Sequence, residues 1–144
     1  MIALAVLTAA IAISSNVSNP IIDRAADIPA SQEVFAACVS HRESRDNPRS
    51  TNNLSSAAGK WQFLQSKWGH GLPYMVANRL REFNMPHLQA KEIRIKLSST
   101  PIHHWDEDLQ DVAFLAVMNF EGAWSGWRHW YITGSRCNVL VGAR

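Results

Sequence analysis

The sequence predicts a mostly helical α+β domain with a buried central helix and a small β-hairpin or loop region. Three observations predict it. Residues 106–121 are apolar on nearly every side, as a helix enclosed by its neighbours must be. Residues 46–60 hold Asn, Ser, Thr, Pro and Gly with almost no large apolar side chain, which is the composition of a loop or short hairpin. Elsewhere, apolar residues recur at the three- and four-residue intervals of helix faces.

The 144 residues suit one domain, and 47% hydrophobic against 18% charged residues can form a real core. A net charge of +2 without a basic run argues against nucleic acid as a partner. No charged side chain precedes Asp23, and Met1 to Ile13 is almost wholly apolar. That run is short for a membrane span and suits the apolar centre of an export signal. Membrane association through this segment before processing is the alternative. Residues 14–30 are small, polar and punctuated by Pro, so the division expected is a signal-like segment and linker over 1–30 and a folded domain over 31–144.

The first domain helix is expected to start at Ser31 as N-cap, after Pro29, with Val34, Phe35, Cys38 and Val39 on one face. Pro48 brings it to an end soon after Glu43. Gly71-Leu72-Pro73 opens a second helix, with Pro73 tolerated in its first turn. Leu72, Val76, Leu80 and Phe83 form its stripe, and Asn84-Met85-Pro86 breaks it. Residues 92–97 alternate like a strand, but Leu88 to Leu97 is rich in helix formers and is assigned as helix. Acidic residues at 106, 107, 108 and 111 suit the positive end of the central helix's dipole, and Gly122 can end it. Trp124, Trp127 and Trp130 follow at helical spacing. The two cysteines, Cys38 and Cys137, lack the spacing of a zinc site. In an exported protein they can pair and tie the first domain helix to the C-terminal tail. Two buried free thiols are the other reading.

Glu43 stands at the end of the first domain helix. A carboxyl at a helix C-terminus, partly buried beside an aromatic wall, has its pKa raised by desolvation and by the negative dipole end. Such a group can give a proton to the leaving oxygen of a glycosidic bond. Arg42 and Arg45 oppose the shift unless their side chains turn to other faces. Trp61 and Gln62 together offer an aromatic surface for sugar C–H groups and an amide for sugar hydroxyls. Asp46 reads as a turn former before Asn47-Pro48 rather than as a second catalytic carboxylate. No aspartate follows between Asn47 and Phe63, and Glu121 is the outside candidate for a partner. No His-Glu-x-x-His, nucleophile elbow or phosphate loop is present. His103-His104 with Asp106 and Asp108 is better explained by an acidic helix start than by a metal cluster.

Glu43-Ser44, then Gly59-Lys60-Trp61-Gln62-Phe63, then Met118-Asn119-Phe120-Glu121-Gly122-Ala123-Trp124 resembles the lysozyme-like muralytic superfamily. Within it, the closest likenesses are to soluble lytic transglycosylases and resuscitation-promoting factors. The resemblance spans roughly residues 31–130. It implies a lysozyme-like domain with Glu43 as catalytic acid/base and Gln62, Trp61, Ser44, Asn119 and Trp124 on the substrate. The chain departs from the transglycosylases at Met118, where they carry Tyr. It departs from the resuscitation-promoting factors at Arg42, where they carry Cys.

The function expected is cleavage of the MurNAc–GlcNAc bond of peptidoglycan glycan strands by a lytic transglycosylase with a single catalytic Glu. A hydrolytic lysozyme, a chitinase-like glycosidase or a noncatalytic wall-binding protein of the same fold are the alternatives. The reading implies a secreted or wall-associated monomer, of bacterial or phage origin, with no cofactor and no metal.

Overall fold

The computed structural model describes residues 18–68, 70–120 and 129–141. The apolar segment proposed as an export signal lies outside them, as do Glu121, Trp124 and Trp127. Among the described residues, no helix is long and apolar enough to cross a membrane.

The chain is mostly helical, with one two-stranded antiparallel sheet. In order, its elements are α1 (Pro20–Ala26), α2 (Ala30–Ser44), β1 (Ala57–Ala58), β2 (Phe63–Leu64) and α3 (Gln65–Trp68). They continue with α4 (Leu72–Glu82), α5 (His87–Ser98), a 3₁₀ turn (Ile102–His104), α6 (Glu107–Met118) and α7 (Tyr131–Val141). The sheet pairs Ala57 with Leu64 and Ala58 with Phe63.

The central helix is α6. Leu109, Val112, Ala113, Phe114, Leu115 and Val117 are all buried on it, and it packs against α1 and α4. Its acidic first turn has Asp106 at the N-cap, and Asn119 is its C-cap. On α4, Leu72, Val76 and Leu80 are fully buried and Phe83 packs at the margin of the core. The alternating stretch at 92–97 is helical, within α5. Its buried Ala90 and Leu97 are seven residues apart, two helical turns on one face.

Two expectations are corrected. The stretch predicted as linker contains α1, capped by the Asn19 side chain on the Ile21 N–H. Ala25 and Ala26 are buried in the core, and Arg79 Nε donates to the Ala25 carbonyl at 2.8 Å. The packed unit therefore starts before residue 31. Similarly, α2 begins at Ala30 after Pro29, without a side-chain cap, so Ser31 is a helical residue and not the N-cap. Phe35 and Val39 of the expected α2 face are buried, but Val34 is 57% exposed.

Candidate active site

Glu43 sits in the last turn of α2. The helix closes on Arg45, and Arg45 and Asp46 are both left-handed, at φ 55° and 63°. This double turn is held by Asp46, whose carboxylate accepts from Ser40 Oγ and lies 3.2 Å from His41 Nδ1. Asp46 is thus occupied in closing the helix, in keeping with the turn-former reading.

The chain returns to Glu43 through the Gly-x-x-Gln segment. Gly59 has φ +81°, and a Cβ there would stand 2.5 Å from Gln110 Oε1, so only glycine fits this approach. Buried Gln110 accepts from the Lys60 N–H at 2.8 Å and donates to the carbonyls of Pro48 and Trp105, each at 3.0 Å. One side chain of α6 thereby ties three loop carbonyl and amide groups to the core. Gln62, at φ 50°, folds back on the same turn. Its backbone N–H and its Nε2 both donate to the Gly59 carbonyl, at 3.2 and 2.9 Å.

The described walls of the Glu43 cleft, of about 470 Å³, are Gln62, Leu64, His129, Trp130, Ile132 and Thr133. Glu43 is the sole carboxylate among the described residues that line it. Burial pushes its carboxyl above the ordinary value of 4.5, and a hydrogen bond with the Thr133 side chain draws it partly back. Neither Arg42 nor Arg45, both exposed, is among the groups that shift it. The conflict foreseen from the flanking arginines does not arise: both are exposed, and neither acts on the Glu43 carboxyl.

The Thr133 wall belongs to α7, which packs on α2 and is joined to it by the disulfide Cys38–Cys137, with Cα atoms 5.7 Å apart. Glu43 is five residues beyond Cys38, and Thr133 is four before Cys137. On antiparallel helices these offsets bring the two side chains together, as observed. Sequence reasoning missed Thr133 because no local motif surrounds it, but its distance from Cys137 was a usable signal.

His129 was missed as well. Trp68 Nε1 donates to its Nδ1 at 3.0 Å, which assigns the ring proton to Nε2. Its ring also lies against Phe63 and edge-on to Trp130. Burial, with a smaller push from Lys67, lowers its pKa from 6.5 to about 4. The ring is therefore neutral at pH 7 and offers an N–H donor in the cleft wall.

The remaining expected site residues divide. Gln62 lines the cleft, but its amide nitrogen is committed to the loop. Trp61 is 1% exposed and stacks on Phe114 with centroids 3.9 Å apart. Its Nε1 donates to Asp111 Oδ1 at 2.9 Å, and its carbonyl accepts from Trp130 Nε1 at 2.8 Å. Trp61 is a core residue and not a sugar platform beside Glu43. A stretch of loop pinned to α6 from both sides leaves its ring no route to the cleft. Ser44 Oγ bonds the carbonyls of Lys60 and Ser40 and accepts from the Asn47 N–H. It locks the helix end to the loop and is not on the cleft wall. Asn119 is exposed at the end of α6 and does not line the cleft. Trp124 and the alternative carboxylate Glu121 lie outside the described residues. Among the described residues, no three His, Cys, Asp or Glu side chains converge as a metal site.

The two shifted groups act on stability in opposite senses. His129 has a lower pKa folded than unfolded, so the unfolded chain takes up its proton first. Its contribution is complete above pH 6.5 and is lost as pH falls from 6.5 toward about 4, by up to about 3 kcal/mol. Glu43 holds its proton longer in the folded chain, so it destabilises as pH rises from 4.5. His129→Gln keeps an acceptor for Trp68 and cannot titrate. Urea unfolding of this variant is expected to lose less stability than wild type between pH 6.5 and 4. Equal losses in the two proteins would place His129 in a solvated environment instead.

Comparison with protein-family models, with curated proteins and with solved structures returns no match for this chain.

Proposed function

We propose that this chain is a peptidoglycan-cleaving enzyme of the lysozyme-like type, acting on the MurNAc–GlcNAc bond as a lytic transglycosylase. The observation that carries the reading is Glu43: a half-buried carboxyl with a raised pKa, at a helix end, in an open cleft with an indole and an amide on its walls. A proton donor for a leaving alkoxide needs these properties. The ordered motifs around Glu43, Gly59 and Gln62 support the same reading. So does the disulfide, which suits an exported protein. A secreted or wall-associated monomer that needs no cofactor follows from it.

In this mechanism the protonated Glu43 gives its proton to the glycosidic oxygen, and the bond from that oxygen to C1 of the muramyl sugar breaks. The positive charge developing at C1 is met by the carbonyl oxygen of the sugar's own 2-acetamido group. Glu43, now a carboxylate, accepts the proton of the C6 hydroxyl, and O6 bonds to C1. The product is a 1,6-anhydro end, no water is consumed, and Glu43 recovers its proton. The absence of a second carboxylate from the described cleft walls favours this route over one in which a second carboxylate serves as nucleophile or as base for a water.

Mass spectrometry of digested, purified peptidoglycan tests the reading. New muramyl ends lighter than hydrolysed ends by one water, about 18 Da, are expected. Incorporation of ¹⁸O from labelled water into those ends would replace the transglycosylase by a hydrolase with the same acid. Binding to walls with no new ends of either kind would leave a noncatalytic wall-binding protein.

A further inference from the structure

The Glu43 cleft adjoins a smaller hollow of about 270 Å³. Leu64 and His129 line both spaces, and Lys67 and Trp68 complete the described walls of the hollow. Its volume is below the roughly 300–1,000 Å³ that encloses a drug-sized ligand. The hollow therefore takes a substituent of a molecule that also lies in the Glu43 cleft.

The hydrogen-bonding capacity left in these walls is one-sided. Trp68 Nε1 donates to His129 Nδ1 at 3.0 Å. That bond uses the indole's only polar group and the neutral imidazole's only acceptor, and it leaves the ring proton on Nε2. Among the described residues, Nε2 has no hydrogen-bond partner and is not a buried orphan, so it opens on the cavity. Phe63 and His129 meet Trp68 at steep angles, 68° and 76°, and neither covers the indole as a stacked ring would. Leu64 adds apolar surface. Lys67 is exposed, and water screens its charge. What remains is one neutral N–H donor set in aromatic and aliphatic carbon.

This chemistry discriminates among the groups a sugar can present. A hydroxyl both donates and accepts, and here its own proton would go unpaired. A carboxylate only accepts, but burial already holds His129 uncharged at pH 7, and the same apolar surroundings disfavour an anion. An acetamido group has a neutral carbonyl acceptor and a methyl.

We propose that the hollow at Trp68 and His129 recognises an N-acetyl group of the glycan, with His129 Nε2–H donating to the acetamido carbonyl and the methyl resting on Leu64 and Trp68. Trp68 thereby takes the sugar-facing place expected of Trp61, and its N–H fixes the His129 tautomer. The choice of a glycan rests on the reading of the Glu43 cleft given above. The role of His129 is read by binding and requires no turnover.

The test is calorimetric titration of the Glu43→Gln protein with the tetramer of N-acetylglucosamine and with cellotetraose, which has hydroxyls in place of the acetamido groups. A preference of about tenfold or more for the acetylated tetramer is expected. Adding His129→Leu should weaken binding of that tetramer by about tenfold and change cellotetraose by less than about twofold. His129→Gln, which can accept from Trp68 and still donate, should bind nearly as well as the parent, separating a lost donor from a disturbed wall. Lys67→Gln should change either affinity by less than about twofold. An undiminished preference in His129→Leu, an equal loss for both tetramers, or a loss in Lys67→Gln as large as in His129→Leu would overturn the assignment. Should the wild type still produce new muramyl ends from cell walls, that failure would be confined to His129. No new ends and no binding of either tetramer would remove the glycan reading and this inference together.

Discussion

Glu43→Gln is expected to lower the rate of cell-wall clearance by about 10²–10⁴-fold while leaving the fold intact. Glutamine keeps the shape of the side chain and can still bond Thr133, but it has no proton to transfer. Because the Glu43 carboxyl is raised by burial, the variant should also be more stable than wild type above pH 4.5. The difference should close as pH falls and the wild-type carboxyl protonates. The two readouts separate an inactive fold from a disrupted one. Thr133→Val refines the test. It removes the bond that lowers the Glu43 pKa, so the limb on which activity is lost at high pH should move to higher pH. A Glu43→Gln protein that clears walls within a few-fold of wild type, under about 1 kcal/mol of barrier, would end the assignment.

The second large effect concerns Cys38–Cys137. The bridge closes a loop with a sequence separation of 99, for which the chain-entropy account gives about 4–5 kcal/mol of stabilisation. Cys38→Ser/Cys137→Ser should lose most of that in denaturant unfolding. It should also lose activity beyond what its folded fraction explains. The bridge holds α7 against α2, and α7 carries Thr133 and Ile132 on the cleft wall, so loosening it displaces the surroundings of Glu43. A displacement near 1 Å can cost about 10²-fold in rate. Intact mass with and without reductant should differ by two hydrogen atoms, one added to each sulfur on reduction. Two free thiols in the native protein, or a double variant as stable as wild type, would remove the bridge from the account.

The long elements were legible because their signals are local. Leu72, Val76 and Leu80 repeat at four-residue intervals and all lie at the core side of α4. The all-round apolar stretch became the buried α6, whereas the left-handed turn at Gly59, with no room for a Cβ, was shown only by the structure. The short α1 was not legible. Seven residues bear too few turns for a periodic pattern, and so short a helix is not stable alone. It forms because Ala25 and Ala26 fit against the core and Arg79 binds its last turn.

The candidate acid and the Gly-x-x-Gln segment near it were legible in the sequence, since each depends on residue type and close spacing; the pairing of Cys38 with Cys137, 99 positions apart, was left open there and was decided by the packing of α7 on α2. Which tryptophan faces which side was decided only by tertiary structure. Trp61 and Trp130 look alike in sequence, yet Trp61 is bonded to Asp111 and stacked on Phe114, whereas Trp130 reaches the cleft wall. Thr133 and His129 likewise gain their roles from α7 and the turn before it, far along the chain from Glu43. The raised pKa of Glu43 belongs to the same class. Desolvation is a property of everything packed around a carboxyl, and the residues that do it here are contributed by segments separated by some ninety positions of sequence.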